Sequence, residues 1–152
     1  MKKELSKNTQ TVLDILQDEV NGDVASALGK MASDYSMTWV DVGLDDNELF
    51  PTTGSDIKKE LEDAYSIKGR EYDIKNIAEG DDVVMIELVE SYPDLETKEM
   101  YRTQLVLVLE MKDGKIKTGR HYLDPRLSRK HLTKEQVERV YKNNKGSKLV
   151  IK

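Results

Sequence analysis

The chain of 152 residues is expected to fold as one α+β domain, with helices packed on one face of a curved, mostly antiparallel sheet. Three observations predict it. Apolar residues recur at helical spacing up to about Tyr65. From Glu71 to Asp124 the period changes to two, as strands require. The later segments are joined by short connections, which suit antiparallel pairing. No repeat or low-complexity linker divides the chain. The core is placed at residues 8–125, a C-terminal helix at 133–144 and a tail at 145–152.

Each element has a local cause. A helix follows Ser6 and runs from Asn8 to Val20, with Val12, Leu13, Leu16 and Val20 on one face. Asn21-Gly22 stops it, since glycine tolerates the left-handed conformation of a helix end. Asp23 caps a second helix, "VASALGKMA", that buries Val24, Leu28 and Met31. "YSMTWVDV" alternates as a strand, and "GLDDNELFPTTG" is a long polar loop. Ser55 caps a third helix, where Ile57, Leu61 and Tyr65 align. "EYDIKNIA", "DVVMIELVESY", "MYRTQLVLVLEM" and "KIKTGRHYLD" read as four strands. Thr133 and Gln136 make a capping box for the last helix, from about Lys134 to Asn143. "KGSKLVIK" is either a loose tail or an added edge strand.

Composition excludes several functions. Hydrophobic residues make up 38% and charged residues 35% of the chain, a globular balance. The absence of cysteine rules out disulfides, thiol chemistry and thiolate metal sites. Two histidines are too few for a histidine-rich metal centre, so neither a metal nor a cofactor is expected. The longest apolar run, "LVLVL", suits a strand and falls far short of a membrane helix, which needs ~18 residues. "MKKELSKNTQ" has no apolar segment behind its basic residues, so the cytoplasm is the expected compartment. With 24 basic and 29 acidic side chains the net charge is −5, which repels phosphate. "GRHYLDPRLSRKH" and "YKNNKGSKLVIK" are locally basic but lack interleaved aromatics, so no nucleic-acid partner is expected.

The Asp113-Gly114 turn allows faces to be assigned. A two-residue type I′ hairpin pairs Lys112 with Lys115 and Met111 with Ile116. Continued without interruption, it pairs Val108 with Gly119, Val106 with His121 and Gln104 with Leu123. One face then carries Gln104, Val106, Val108, His121 and Leu123. The other carries Leu105, Leu107, Leu109, Arg120, Tyr122 and Asp124. Both are apolar at the centre, so both need cover. The helices serve one. For the leucines, the expected cover is a second copy of the chain, giving a homodimer through the convex sheet face; the alternative is the C-terminal helix folded back over them.

The helix pair around "NGD", the strand "YSMTWVDV", the stretch "TGSDIKKEL" and the ending "DGKIKTGRHYLDP" together resemble the nuclear transport factor 2-like superfamily. Within it the chain is more similar to the SnoaL-like group of polyketide cyclases, ketosteroid isomerase and limonene epoxide hydrolase. The resemblance spans about Asn8 to Pro125. It implies a cone-shaped, cystatin-like α+β barrel with an apolar pocket, and often dimers through the convex side. It also implies which chemistries are missing. Ile15, Trp39 and Val106 stand where ketosteroid isomerases carry a tyrosine and two aspartates, and none can replace them. Glu90, Leu88 and His121 stand at the Asp-Arg-Asp positions of limonene epoxide hydrolases, with Met37 and Trp39 at the water-holding positions. Leu88 cannot replace an arginine that activates an epoxide oxygen.

What remains is a His121–Glu90 pair in a pocket lined by Met37, Trp39, Leu88, Gln104, Val106, Val108 and Leu123. A histidine oriented by a carboxylate is a competent acid or base near neutral pH. The expected function is binding of a small apolar molecule, with cofactor-independent isomerase, cyclase or dehydratase (lyase) chemistry. The alternative is a non-catalytic ligand-binding or protein-interaction domain. Asp41, Asp45, Asp46 and Glu48 lack the spacing of a calcium loop. Leu49 and Phe50 are the expected inward contacts of a lid over the pocket mouth.

Overall fold

Ser6 opens the first helix, α1 (Lys7–Asn21), by accepting a hydrogen bond from the Thr9 amide at 3.1 Å. Gly22 closes it with φ +76°, and the end of α3 approaches it closely: an added Cβ would lie 3.2 Å from the Tyr65 carbonyl. Asp23 then caps α2 (Val24–Gly29) through the Ser26 amide at 2.9 Å. This helix is shorter than its apolar spacing suggested. Met31 instead begins β1 (Met31–Val40), because the main chain turns at Lys30 to pair with a distant strand. The structure is a computed structural model, and it describes residues 4–40, 52–53, 55–141 and 148–152. The acidic residues Asp41, Asp45, Asp46 and Glu48 and the expected lid contacts Leu49 and Phe50 lie outside the described residues.

The remaining elements are β2 (Thr52–Thr53), α3 (Ser55–Tyr65), β3 (Glu71–Glu79), β4 (Val83–Pro93), β5 (Met100–Lys112), β6 (Lys115–Leu123), α4 (Pro125–Ser128), α5 (Lys134–Glu138) and β7 (Leu149–Ile151). The strands form one open sheet in the order β2-β1-β6-β5-β4-β3-β7. Pairing is antiparallel except between β1 and β6. The helices α1 to α3 cover the concave face, where Val12, Ile15 and Leu16 pack with Ile74, Ile86 and Leu107. The tail is an edge strand, with Ile151 opposite Tyr72. Thr133 and Gln136 form the capping box that the sequence predicts, but α5 is cut short and passes into a 3₁₀ turn at Arg139–Tyr141.

One irregularity changes the faces of the hairpin. Asp113 and Gly114 have φ +52° and +73°, as a type I′ turn requires, and Met111 faces Ile116. Beyond them a β-bulge at Lys117 shifts the register. Leu109 then faces Gly119, Leu107 faces His121 and Leu105 faces Leu123. This corrects the uninterrupted pairing. The leucines share the inner face with His121, and Gln104, Val106 and Val108 are turned outward and half-buried. With Leu105, Leu107 and Leu109 all at 4–5% exposure inside, they leave no open leucine face for a second copy to cover.

The C-terminal segment does fold back, but onto the outer face. Arg102 Nη1 donates to the Leu132 carbonyl at 2.7 Å, and Val137 is 2% exposed. Lys75 is carried to that side by a second bulge between Ile74 and Asn76. Its ammonium is buried at 2.8 Å from both Asp73 and Glu138, beneath the Tyr141 ring. A buried lysine is tolerable only when its charge is matched in this way.

Candidate active site

On α1, Val12, Ile15, Leu16 and Glu19 recur at i, i+3, i+4 and i+7, which puts the carboxylate on the apolar stripe. On β1, alternation sends Tyr35, Met37 and Trp39 to one face. The bulge turns Leu107 and Leu109 to the same face two strands away, with His121 beside Trp39 in the strand between. These walls and α3 enclose a cavity of about 280 Å³. It is mostly apolar, with polar groups gathered at particular points, as ligand sites usually are.

The main polar group lies where α1 meets β3 and β4. Arg70 precedes β3 and is 6% exposed, and its Nη1 bonds Glu90 directly. Nη2 donates to the Ala64 carbonyl at 3.1 Å. Tyr72 donates to Glu19 Oε2 at 2.5 Å and lies 3.4 Å from Glu90. The guanidinium stacks over Tyr92 at 4.8 Å from the ring centre. Arg70 Nε stands 3.3 Å from Glu19 Oε1 without hydrogen-bond geometry, and has no hydrogen-bond partner among the described residues.

Two carboxyls thus share one guanidinium, and the charge does not balance if both ionise. Burial is the largest influence on Glu19, and its proximity to Glu90 adds to it. Arg70 and the Tyr72 hydrogen bond oppose both. The outcome is a carboxyl raised from 4.5 to about 7. Glu19 can therefore hold or release a proton at neutral pH. Burial with the neighbouring carboxyls keeps the Tyr72 hydroxyl protonated, and the two carboxylates hold Arg70 firmly charged.

His121 occupies a different part of the wall. Its ring meets Trp39 edge-on at 5.7 Å, and it forms no hydrogen bond among the described residues. Burial pushes its pKa down to about 4, so the ring is neutral near pH 7. The structure does not bring His121 and Glu90 together. Glu90 stands opposite Thr103 and His121 opposite Leu107, which separates them by roughly 13 Å along β5. Glu90 is engaged by Arg70 instead.

Of the residues expected around the pocket, Met37, Trp39, Glu90 and His121 line the cavity. Leu88 is fully buried and Leu123 packs against the core, both on the inner face but away from the cavity wall. Gln104, Val106 and Val108 lie on the opposite face, because of the bulge. Glu19, Arg70 and Tyr72 were not anticipated. The signal for Glu19 is its helical phase with Ile15 and Leu16. For Arg70 there is no comparable local signal, since it stands just ahead of the strand "EYDIKNIA" with no periodic pattern to place it. Leu88 indeed supplies no guanidinium to Glu90, yet Arg70 supplies one from the residue just ahead of β3. Among the described residues, no group of three histidine, aspartate or glutamate side chains is arranged to hold a metal. No helix among them is long and apolar enough to cross a membrane.

No protein-family model matches the sequence, and no curated protein matches it. Solved structures do share its fold. An epoxide hydrolase of Mycobacterium tuberculosis similar to limonene epoxide hydrolase is 20% identical, with a TM-score of 0.66 over 89% of this chain and 96% of that one. A candidate SnoaL-like polyketide cyclase from Shewanella putrefaciens is 12% identical, with a TM-score of 0.69 over 82% and 84%. A nuclear transport factor 2-like protein of unknown function from Cytophaga hutchinsonii is 14% identical, with a TM-score of 0.59 over 83% and 96%. At these identities the likeness establishes the fold. The chain has the nuclear transport factor 2-like α+β fold, with its sheet left open.

Proposed function

We propose that the cavity binds a small, mostly apolar molecule bearing an oxygen function, and that Glu19 transfers a proton on it without a cofactor. The reading rests on one observation: a carboxyl able to change protonation near neutrality sits on the cavity wall beside the buried Arg70 guanidinium. A ligand carbonyl, epoxide or lactone oxygen placed beside the Glu19 carboxyl would lie near the Arg70 charge, which stabilises negative charge as it develops on that oxygen. Glu19, with Tyr72 holding one of its oxygens, would donate or remove the proton. Glu90 acts through Arg70, which it positions. His121, neutral and on another part of the wall, is proposed to accept a proton at the far end of a longer ligand. Isomerisation, cyclisation, elimination and epoxide opening all turn on such proton transfers. Epoxide opening and cyclisation are also the reactions named for two of the proteins that share the fold.

The test is a thermal-shift panel of small ketones, epoxides and lactones, followed by turnover assays on the hits. A ligand at 100 times its Kd stabilises the fold by about 2.7 kcal/mol, or roughly 5–10 °C for a domain of this size. Glu19→Gln should then lower turnover by about 10²- to 10⁴-fold while ligand binding persists. Binding without turnover favours the non-catalytic alternative, and a blank across every class removes the small-molecule reading altogether.

A further inference from the structure

Tyr35, Tyr65 and Tyr92 line the cavity with hydroxyls that have no hydrogen-bond partner among the described residues, and of these Tyr35 and Tyr65 are buried. Tyr35 and Tyr65 are only 5% and 3% exposed. The third buried tyrosine, Tyr72, does find a partner: it donates to Glu19. The hydroxyl oxygens of Tyr35 and Tyr65 are not closed off, so each keeps access to the cavity space, where a hydroxyl on a buried residue meets water or a ligand. Here both hydroxyls belong to residues that line one cavity. They come from separate elements, Tyr35 from β1 and Tyr65 from the last turn of α3.

The surrounding chain makes room for one of them. A Cβ on Gly119 would lie 2.9 Å from the Tyr35 hydroxyl and 3.2 Å from Leu109 Cδ2. A glycine inside a strand is otherwise a cost, and close approach of a neighbouring group is a standard reason for one. Burial and the charge of Glu19 raise both hydroxyls above the ordinary tyrosine range, so both keep their protons.

Building on the ligand reading above, we infer that Tyr35 and Tyr65 form a second oxygen-binding subsite. The ligand class that fits is a neutral, compact molecule with two oxygen functions, one at Arg70 and Glu19 and one at the two hydroxyls. A carboxylate ligand fits poorly, since it would add a third acidic group to a single guanidinium. The cavity of about 280 Å³ holds roughly 200 Å³ of ligand at interior packing density. A monocyclic hydroxyketone is within that size.

The experiment compares acetophenone with ortho-, meta- and para-hydroxyacetophenone by calorimetric titration of the full chain. The three isomers sample the spacing between the oxygens. At least one isomer should bind about tenfold tighter than acetophenone, the value of one well-made neutral hydrogen bond. The Tyr35→Phe/Tyr65→Phe double variant, with each single variant beside it, should lose that preference and keep acetophenone affinity within about twofold. Unliganded melting temperatures check that the variants fold. If acetophenone binds but no isomer improves on it, or the preference survives in the double variant, the subsite is refuted and the ligand reading stands. If none of the four compounds binds the wild-type chain, both the subsite and the small-ketone reading fall.

Discussion

Replacing Glu19 by Gln should stabilise the protein at high pH and leave its stability nearly unchanged at low pH. The folded chain holds the Glu19 proton at about 7, against a reference of 4.5. Between those values the folded state binds more protons than the unfolded state, so stability falls as pH rises through the window. Below pH 4.5 Glu19 is protonated in both states and the contribution vanishes. Above pH 7 it is ionised in both, and the full cost of keeping that charge in the cavity is present. At about 1.4 kcal/mol per tenfold, the difference amounts to about 3 kcal/mol. With the Glu19 side chain 16% exposed, solvent screening reduces this only modestly. Glutamine reproduces the protonated carboxyl in shape and cannot ionise. Urea unfolding of both proteins at pH 4 and pH 8 isolates the effect, because every other titrating group is common to the pair. The variant should match wild type at pH 4 and exceed it by about 3 kcal/mol at pH 8. If the variant is less stable at pH 8, ionised Glu19 is needed as a partner of Arg70, and the argument from excess charge is wrong. A difference that does not vary with pH would mean that Glu19 does not titrate in this range.

Two further outcomes test the geometry. Leu107→Ala should cost about 2–5 kcal/mol and Val106→Ala less than about 1.5 kcal/mol in chemical unfolding; the opposite order would restore the unbulged hairpin. The ring of His121 should stay neutral from pH 8 down to pH 5, with its proton resonances moving only near pH 4. Because its folded pKa lies below 6.5, its neutral form contributes stability that is lost as pH falls below that value. A midpoint near 6.5 in the NMR titration would show that the ring reaches bulk water.

Much of this protein was legible locally, because local elements depend on neighbours within a few residues. Ser6, Gly22 and Asp23 set helix ends through hydrogen bonds and torsion angles that need nothing distant. The Asp113-Gly114 turn and the capping box at Thr133 are of the same kind, and so is the α+β order implied by the change of period. Gly119 was a visible hint of the bulge, but alternation could not decide between faces, since leucines at odd positions and valines at even ones are equally apolar. A one-residue slip reverses every side chain, and only the packing of α1 and α3 against the sheet selects which face goes inside. The polar site was less accessible still. Glu19, Arg70, Tyr72 and Glu90 span 72 residues of sequence, and no spacing rule joins a helix end to two strands. Helix phase by itself pointed Glu19 inward. Its meeting with Arg70, and the shared charge that keeps its proton near neutrality, required the folded sheet to bring those backbones together.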